Sequence, residues 1–338
     1  MISMEELRKT YNTHYRSMKN KIAIITGITG QDGAYLAQLL IKNNYKVIGI
    51  VQDLININKS RLEYLSIAEQ IEWRQCCLTE KNEITNLLET TQPDELYNLA
   101  AQSSVFTSYQ QPIHTLNFNT MSVANILESI RETNSEIKFY QASSGEMFGN
   151  VNLFPITEGS TLYPVSPYAV SKCTSFWLTV NYRESFNMFC TSGISFNHES
   201  YLRNENFIIK KILNTAFDIL DGKKEFLEVG NIDIKRDFGF APKYVEAMYL
   251  MMQHDIPDHY ILASGISVSL KDIIFYIFDT LNIDRAKVMV NKDFFRPNEI
   301  MDIYGDASKA KKELNWEYEM SFFEVLDIII EESIKNKN

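Results

Sequence analysis

The chain has 338 residues, of which 45% are hydrophobic and 22% are charged, and its formal net charge is −10 at pH 7. The absence of a basic excess argues against a general nucleic-acid binder or membrane-surface binder, because such proteins must neutralise phosphate groups. The length exceeds that of one average domain, so we expect one large α/β domain with a smaller annex. An anionic small ligand would still suit this chain wherever a few arginines converge.

The N-terminal segment and the cysteines bear on the cell compartment. Residues 1–20 are polar and charged, unlike a secretory signal, and are expected to form a leader ahead of the fold. No apolar run approaches the length of a membrane span. The cysteines lack metal-type spacing and are expected to be reduced core residues: Cys76, Cys77, Cys173 and Cys190. These features predict a cytoplasmic protein without a metal site and without a membrane partner.

Short apolar runs alternate with helical patterns along the first part of the chain. Strands are predicted at residues 21–26, 46–51, 71–75, 95–99, 138–142 and 188–194, and helices at 33–43, 112–133 and 167–186. This alternation predicts a Rossmann-type, doubly wound parallel sheet over residues 21–196. Helices predicted at 205–220, 242–253 and 270–281 mix with short strands. We therefore expect a smaller C-terminal α/β substrate-binding region over residues 197–338, with some exchange of elements between the two parts.

The turn after the first strand reads TGITGQDG over residues 26–33 and opens the first helix. One glycine permits the tight turn, another lets the backbone approach a pyrophosphate, and the third lets helix and strand pack closely. The free N–H groups at the helix N-terminus would then bind the phosphates. The sequence therefore predicts an NAD(P) site that includes Gly27, Thr29, Gly30, Gln31, Asp32 and Gly33.

The residues at the end of the second strand should indicate whether the cofactor is NAD or NADP. An acidic residue there binds the adenine ribose of NAD, whereas an arginine accommodates the extra phosphate of NADP. This chain has Gln52 and Asp53 at that point, and the next arginine is Arg61. Asp53 would repel a 2′-phosphate, which favours NAD. The alternative is that Asp53 merely lies in a surface turn.

Candidate catalytic residues follow the fifth strand. Tyr168 and Lys172 are four residues apart in a predicted helix and share one face, where the ammonium would lower the pKa of the phenol and make it a usable base. Ser144 lies at the carboxyl end of the fifth strand, where doubly wound sheets place their active sites. Glu146 would allow removal of a proton α to a ketone, the step that an elimination of water requires. The alternative for Glu146 is a solvated loop residue.

Several segments resemble the GDP-mannose 4,6-dehydratase family, which belongs to the extended short-chain dehydrogenase/reductase superfamily. The resemblance runs from about residue 21 to the C-terminus, and its most particular parts are Gln31-Asp32 and the NHES stretch at 197–200. The other matching segments are 26–36, 98–103, 139–149, 166–172, 230–237, 244–248 and Arg296-Pro297. This resemblance implies a lyase that oxidises C4 of a GDP-hexose, removes water across C5 and C6, and reduces C6. It also implies a tightly bound cofactor, because the hydride returns to the sugar.

The same resemblance implies roles for further residues. The cofactor would contact Leu99, Ala100, Ala101, Gln102, Ser103, Lys172, His198 and Arg203. The GDP-sugar would contact Ser103, Glu146, Tyr168, Asn197, Lys211, Arg236 and Arg296. Family members form dimers through the helices at 112–133 and 167–186, and often tetramers across the loop near Arg61. We therefore expect a homodimer or homotetramer.

The chain departs from the family pattern at several positions. Gly145 stands where the family has a serine, which removes a polar side chain near the leaving oxygen. Gln52 and Asp53 replace paired arginines, so the local residues favour NAD where the resemblance implies NADP. Further differences are Leu54, Ile55, Cys77, Ser104, Tyr201 and Leu202.

Three functions remain open at this point. The leading hypothesis is a GDP-sugar 4,6-dehydratase that acts on GDP-mannose or a close relative such as a GDP-heptose. Gly145 favours a second hypothesis, a nucleotide-sugar 4-epimerase, 4-oxidase or reductase on the same scaffold. The altered cofactor pocket motivates a third, a degenerate non-catalytic homologue, although Glu146, Tyr168 and Lys172 argue against it.

Overall fold

The central feature of the computed structural model, which describes residues 20–295 and 298–337, is a parallel sheet. Its strands in chain order are β1 (Ile22–Thr26), β2 (Lys46–Val51), β3 (Glu72–Gln75), β4 (Glu95–Asn98), β5 (Lys138–Ser144), β6 (Cys190–Ser195) and β10 (His259–Leu262). They lie in the order β10-β6-β5-β4-β1-β2-β3, and every neighbouring pair is parallel. The Rossmann-type doubly wound fold is therefore confirmed, and the strand order reverses between β1 and β4.

Helices cover both faces of this sheet. The described helices are α1 (Gln31–Lys42), α2 (Ser60–Tyr64), α3 (Lys81–Thr91), α4 (Val105–Gln110), α5 (Pro112–Thr133), α6 (Pro167–Phe186), α7 (Ile208–Leu220), α8 (Ala241–Gln253), α9 (Leu270–Thr280), α10 (Ser308–Leu314) and α11 (Phe322–Lys337). Strand β1 contributes to both layers, because successive side chains point to opposite faces. Ile25 packs in the cluster that contains Met248 of α8, and Ile24 packs in the cluster that contains Ile126 of α5.

Residues beyond 196 form a second core and also return to the main sheet. Strands β7 (Asn197–Glu199), β9 (Lys235–Phe240) and β11 (Ser267–Ser269) make a small sheet, and β8 (Leu227–Val229) pairs with β12 (Val288–Val290). Phe238 and Phe322 stack at the centre of this region, with ring centroids 4.7 Å apart. Strand β10 and helix α8 instead complete the first part of the fold. Exchange of elements between the two halves was expected, but β10 itself was not predicted.

Most predicted elements agree with the structure to within a few residues. The largest difference at the start of a helix is in α7. This helix begins at Ile208 and not at the predicted residue 205, because the backbone of Phe207 is still extended. Strand β5 continues to Ser144, two residues beyond its predicted end, and this extension places Ser144 at the sheet edge. None of the described helices is long and apolar enough to span a membrane. All four cysteines are unpaired thiols, but only Cys76 and Cys190 are core residues as expected, whereas Cys77 and Cys173 are partly exposed.

A buried carboxylate fixes the opposite, amino-terminal edge of the sheet. Glu95 of β4 is 1% exposed, and its two oxygens accept hydrogen bonds from the Tyr45 hydroxyl at 2.9 Å and the Tyr97 hydroxyl at 2.8 Å. The Lys21 ammonium donates to the same carboxylate at 3.1 Å. Because a buried charge must be paired and hydrogen-bonded, this cluster ties the starts of β1, β2 and β4 together.

We expect Glu95→Ala to lower the free energy of unfolding by about 3 kcal/mol, since it leaves the buried Tyr97 hydroxyl without its acceptor and removes one of the acceptors of Tyr45 and Lys21. Glu132→Ala is the control, because that carboxylate belongs to an ion pair with Lys81 in which both side chains are more than a third exposed. The control should cost less than about 1 kcal/mol. Urea unfolding measures both variants, and equal losses would contradict the assignment of Glu95 as a buried anchor.

Candidate active site

The glycine-rich turn lies against the chain that leaves β4. Gly27 has φ of +69°, and a Cβ on it would lie 2.8 Å from the Ala100 amide nitrogen. A Cβ on Gly33 would lie 2.5 Å from the Ile28 Cα atom. These close approaches admit only glycine and bring two backbone segments together at the switch point of the sheet. The bare turn and the start of α1 fit a pyrophosphate, as the sequence predicts.

Hydrogen bonds hold the second backbone segment in place. The Thr26 hydroxyl accepts from the amides of Leu99 and Ala100, each at 3.1 Å. Further along, the Gln102 amide donates to the Asn119 side chain at 2.8 Å, and Asn119 donates to the Ser171 hydroxyl at 2.9 Å. Sequence analysis missed Asn119. The signal was present as a polar residue within the apolar face of a long predicted helix, because such a residue needs a buried partner.

The predicted catalytic residues come from two neighbouring elements. Ser144 ends β5, and its hydroxyl accepts from the Glu146 amide at 3.2 Å, which starts the 3₁₀ turn Gly145–Phe148. Helix α6 begins at Pro167 with Ser166 as its N-cap, so Tyr168 lies in the first turn. The Lys172 ammonium donates to the Ala142 carbonyl at 2.7 Å. The ends of β5 and α6 therefore bring Ser144, Tyr168 and Lys172 together, with Glu146 half-buried beside them.

The pKa of Tyr168 is raised, whereas the sequence analysis expected it to be lowered. Burial raises this pKa to about 12, a hydrogen bond with Ser144 opposes the increase, and the charge of Glu146 adds to it. Burial lowers the pKa of Lys172 to about 8, against the opposing effect of Asp32. The expectation that Lys172 lowers the pKa of the phenol is wrong for the net shift, because the ammonium bonds to Ala142 and desolvation dominates.

Gly145 lies against an aromatic ring. A Cβ on Gly145 would stand 3.2 to 3.3 Å from three ring atoms of Phe196, which is tighter than ordinary van der Waals contact. Gly145 itself is buried. The ring therefore occupies the space that a side chain at this position would enter.

The two stretches most particular to the family contact each other. The Gln31 side chain donates to the His198 carbonyl at 3.2 Å and accepts from the Ser200 hydroxyl at 2.8 Å. His198 Nε2 lies 2.9 Å from an oxygen of Asp32. Gln31 and Asp32 were predicted as cofactor contacts, and sequence analysis missed that they also tie the glycine-rich turn to β7.

Two arginines near this junction have intramolecular partners. Arg203 lies 3.3 Å from a carboxylate oxygen of Glu199, and its guanidinium stacks on the ring of Phe207 at 3.6 Å. Arg61 donates to the Leu202 carbonyl at 2.7 Å and to the Thr29 carbonyl at 3.0 Å. Arg61 therefore ties the glycine-rich turn to the segment after β7.

Asp53 forms the turn after β2. Its carboxylate accepts from the Ile55 amide and from the Asn56 side chain, both at 2.8 Å, and these hydrogen bonds lower its pKa. Gln52 and Asp53 are both exposed. Asp53 therefore does lie in a surface turn. The two interpretations are compatible, because an exposed carboxylate in this turn can also face the adenine ribose.

The predicted substrate contacts lie around the small sheet. Asn197 of β7 pairs with Phe238 of β9, and Arg236 is two residues before that pairing position. The Arg236 guanidinium is buried and donates to the Ile300 carbonyl at 2.7 Å. The Lys211 ammonium of α7 lies 5.3 Å from the centroid of the Phe294 ring. Ser103 is exposed beyond β4, and Arg296 lies outside the described residues.

Comparison with known proteins identifies the family. The family model for GDP-mannose 4,6 dehydratase matches residues 24–329. GDP-mannose 4,6 dehydratase of Drosophila melanogaster is 36% identical over 94% of this chain and 87% of its own length. GDP-mannose 4,6 dehydratase 1 of Arabidopsis thaliana is 38% identical over 93% and 90%.

Solved structures agree in fold. A dTDP-glucose 4,6-dehydratase from Streptomyces venezuelae, solved with NAD bound, superposes with a TM-score of 0.84 at 18% identity, covering 94% of this chain and 98% of its own. A UDP-glucose 4-epimerase from Thermotoga maritima gives 0.82 at 20% identity, covering 94% and 100%. The matches in sequence over almost the whole chain show that this protein belongs to the GDP-mannose 4,6-dehydratase family.

Proposed function

We propose that this chain is a hydro-lyase that converts GDP-mannose to its GDP-4-keto-6-deoxy sugar with a tightly bound nicotinamide cofactor. The observation that carries the proposal is the half-buried Glu146, two residues after Ser144 and electrostatically coupled to buried Tyr168. A carboxylate beside a Ser–Tyr–Lys set supplies the base that elimination requires. The names of the relatives support GDP-mannose as the substrate, and a GDP-heptose is the nearest variant of this proposal.

The first step uses three side chains. Tyr168 accepts the proton of the C4 hydroxyl, while Ser144 holds that oxygen by a hydrogen bond. Since burial places the pKa of Tyr168 at about 12, the nearby Lys172 ammonium must stabilise the phenolate during the step. The nicotinamide, when bound, supplies a hydride acceptor for C4 and later a hydride donor for C6.

The second step is the elimination. Glu146 removes the proton from C5, the C6–oxygen bond breaks, and a double bond forms between C5 and C6. Two protons have then been taken, one from the C4 hydroxyl and one from C5. One leaves with the C6 hydroxyl as water and the other returns to C5, so the sugar loses one water with no net oxidation. Because Gly145 has no side chain, Glu146 is the carboxylic acid among residues 144–146 that can protonate the leaving oxygen.

The nucleotide half of the substrate is assigned to the region over residues 197–338. Lys211, Arg236 and Arg296 would bind the diphosphate, where bidentate arginine suits the charge, and Asn197 and Ser103 would contact the sugar. Strand β7 connects the two halves of the site, because it follows β6 directly and pairs with β9. Since Arg236 already donates to a backbone carbonyl, its guanidinium is held in a fixed orientation.

A second candidate function rests on Gly145. A chain without a side chain at this position could oxidise and reduce C4 without completing elimination, which would make it a 4-epimerase, 4-oxidase or reductase. Nothing favours the degenerate homologue over these two, since Ser144, Glu146, Tyr168 and Lys172 are all present at the site.

We infer that NAD is the preferred cofactor. The exposed Asp53 carboxylate carries a negative charge where the 2′-phosphate of NADP would lie, and Gln52 offers no compensating cation. The residues that would hold the dinucleotide are the glycine-rich turn and the backbone of residues 99–103, together with Lys172, His198 and Arg203.

We also infer a homodimer or homotetramer that works in the cytoplasm. Helices α5 and α6 pack side by side and carry exposed apolar side chains, among them Met121, Val170 and Trp177, exposed by 43%, 41% and 57%. Apolar patches of this kind mark protein–protein interfaces. Four unpaired thiols suit a reducing compartment.

Glu146→Gln should abolish the elimination, with a loss of about a hundredfold or more in turnover, because the amide cannot take the C5 proton. The parent enzyme should release a product lighter than GDP-mannose by one water and should incorporate solvent deuterium at C5. Mass spectrometry in heavy water checks both outcomes. Glu158→Gln is the control, since that carboxylate accepts from the Ile261 amide, a bond that the glutamine oxygen can still accept, and is not among the residues assigned to the site. Unchanged substrate mass together with an active Glu146→Gln variant would favour the 4-epimerase.

Asp53→Asn should raise the affinity for NADP relative to NAD by about tenfold, because it removes one like charge from the 2′-phosphate position. The new amide oxygen can still accept from the Ile55 amide, so the turn should persist. Calorimetry with both dinucleotides measures the ratio. Glu80→Gln, an exposed carboxylate just after β3, should leave the ratio unchanged. A parent enzyme that prefers NADP would overturn the assignment.

Trp177→Glu should convert the oligomer to monomers at micromolar concentration, since a charge would be buried at the centre of the α5–α6 face. Ile256→Glu is the control, because that side chain is 69% exposed in the turn after α8. Analytical ultracentrifugation of the two variants and the parent gives the result. A monomeric parent, or an oligomeric Trp177→Glu, would place the interface elsewhere.

A further inference from the structure

An acidic side chain lies in the first turn of α1, next to the predicted pyrophosphate site. Asp32 is the second residue of that helix. A carboxylate at a helix N-terminus is favourable for the helix itself, because the N–H groups carry partial positive charge. It is unfavourable for an anionic ligand at the same helix end, since two negative charges then compete for the same donors. Asp32 therefore needs a compensating charge if the turn is to bind a pyrophosphate.

His198 supplies that charge from a distant part of the chain. Its Nε2 lies 2.9 Å from Asp32 Oδ2, and its Nδ1 donates to the Phe196 carbonyl at 2.7 Å. The imidazole stacks on the ring of Tyr244 with centroids 4.7 Å apart. The side chains of His198 and Asp32 are 11% and 24% exposed, so solvent screens the pair weakly. With both ring nitrogens used as donors, the imidazole is held in its charged form.

The electrostatics agree with this geometry. Burial alone would raise the pKa of Asp32, but His198 lowers it to about 2. Burial alone would lower the pKa of His198, but the charge and hydrogen bond of Asp32 raise it above its ordinary value. The pair therefore stays ionised from about pH 2 up to the raised pKa of His198. Its stabilising contribution is lost as the pH rises through that pKa, because the carboxylate is then left without its cation.

We propose that His198 and Asp32 are positioning residues whose ion pair neutralises the carboxylate under the pyrophosphate and fixes the glycine-rich turn on β7, so that dinucleotide retention depends on it. The inference rests on the dinucleotide of the proposed function and not on the identity of the sugar. Two neighbouring contacts support it. Gln31 donates to the His198 carbonyl and Ser200 donates to Gln31, so the same junction is held by neutral hydrogen bonds beside the charged one.

The test compares His198→Gln, Asp32→Asn and the double variant for NAD binding by calorimetry. His198→Gln leaves an uncompensated carboxylate under the phosphates and should weaken NAD binding by at least about tenfold. Asp32→Asn removes the repelling charge and should weaken binding less. The double variant, with two amides that can still bond to each other, should bind NAD more tightly than His198→Gln does. A mere packing role predicts instead that the two losses add.

A matched control exists in β10. His259 Nδ1 lies 3.1 Å from an oxygen of Asp258, a second histidine–carboxylate contact, and three strands lie between β10 and β1 in the sheet. His259→Gln should therefore leave NAD affinity unchanged, although it removes the same kind of contact. Thermal unfolding of each variant without dinucleotide shows that binding is measured on folded protein. Equal NAD affinity in the parent and His198→Gln, or additive losses in the double variant, would overturn the proposal.

The pH dependence of NAD affinity gives a second measurement, which should not change if His198 and Asp32 have only a packing role. NAD affinity of the parent should fall as the pH rises through the pKa of His198, and this component should be absent in the double variant. The titratable and charged groups facing the pair are Arg203 and Glu199 beside β7, Tyr35 on α1, Tyr140 on β5, Tyr168 and Lys172 on α6, and Tyr244 on α8. Lys172, with a pKa of about 8 that Asp32 raises, titrates at a different pH in the double variant, so its contribution is taken from His198→Gln, which keeps Asp32.

These readouts use the dinucleotide alone. If the chain proves to be an epimerase, the order of NAD affinities is unaffected and the proposal still holds. If the dehydratase assignment is right and the order of affinities is not observed, only the role of the ion pair fails.

Discussion

The architecture depends on how closely two stretches of backbone approach each other at the carboxyl edge of the sheet. Gly27 and the chain at Leu99–Ala100 come so near that a single methyl group would not fit between them. This contact is the point where the parallel strand order reverses, and it creates the crevice on which both halves of the site border. Strand β5 ends in Ser144 one position along the sheet from β4, so the turn that carries Glu146 faces the same crevice.

Burial shapes the chemistry of this crevice more than residue spacing does. Tyr168 and Lys172 share a helix face, yet desolvation moves their pKa values apart, raising that of Tyr168 to about 12 and lowering that of Lys172 to about 8. The Tyr168 phenol then holds its proton too tightly to act as a base, and the Lys172 ammonium loses its proton too easily to remain a reliable cation. They become useful only when a substrate oxygen lies between them, because charge then appears where the ammonium can stabilise it. Without substrate, Tyr168 therefore stays protonated and does not act as a base.

The sheet, the glycine-rich turn and the proximity of Ser144, Tyr168 and Lys172 could be predicted from the sequence because each has a local pattern. Periodicity locates β1 to β6, and the four-residue spacing of Tyr168 and Lys172 needs only a helix. The remaining features depend on residues far apart in the chain. Strand β10 is a four-residue run whose partner, β6, lies more than sixty residues earlier. Asp32 and His198 are 166 residues apart in the chain, and Asn119 and Ser171, which are joined by a hydrogen bond, are 52 residues apart. A polar residue on a helix face indicates that it needs a partner, but a single sequence does not show which distant residue that partner is. It also reveals burial only indirectly, which is why the direction of the pKa shift of Tyr168 was mistaken.

The return of the chain to the main sheet has a consequence for synthesis on the ribosome. When residues up to 196 have emerged, β6 is still an unpaired edge, and the apolar surface of α1 that later packs against Met248 and Met251 of α8 is still open to water. An exposed strand edge beside an apolar surface is prone to pair with other chains. The part of the chain that carries the parallel sheet therefore cannot complete its core until β10 and α8 have been made. We expect its folding to wait for about sixty further residues, so that residues up to 196 would not fold stably as a separate module.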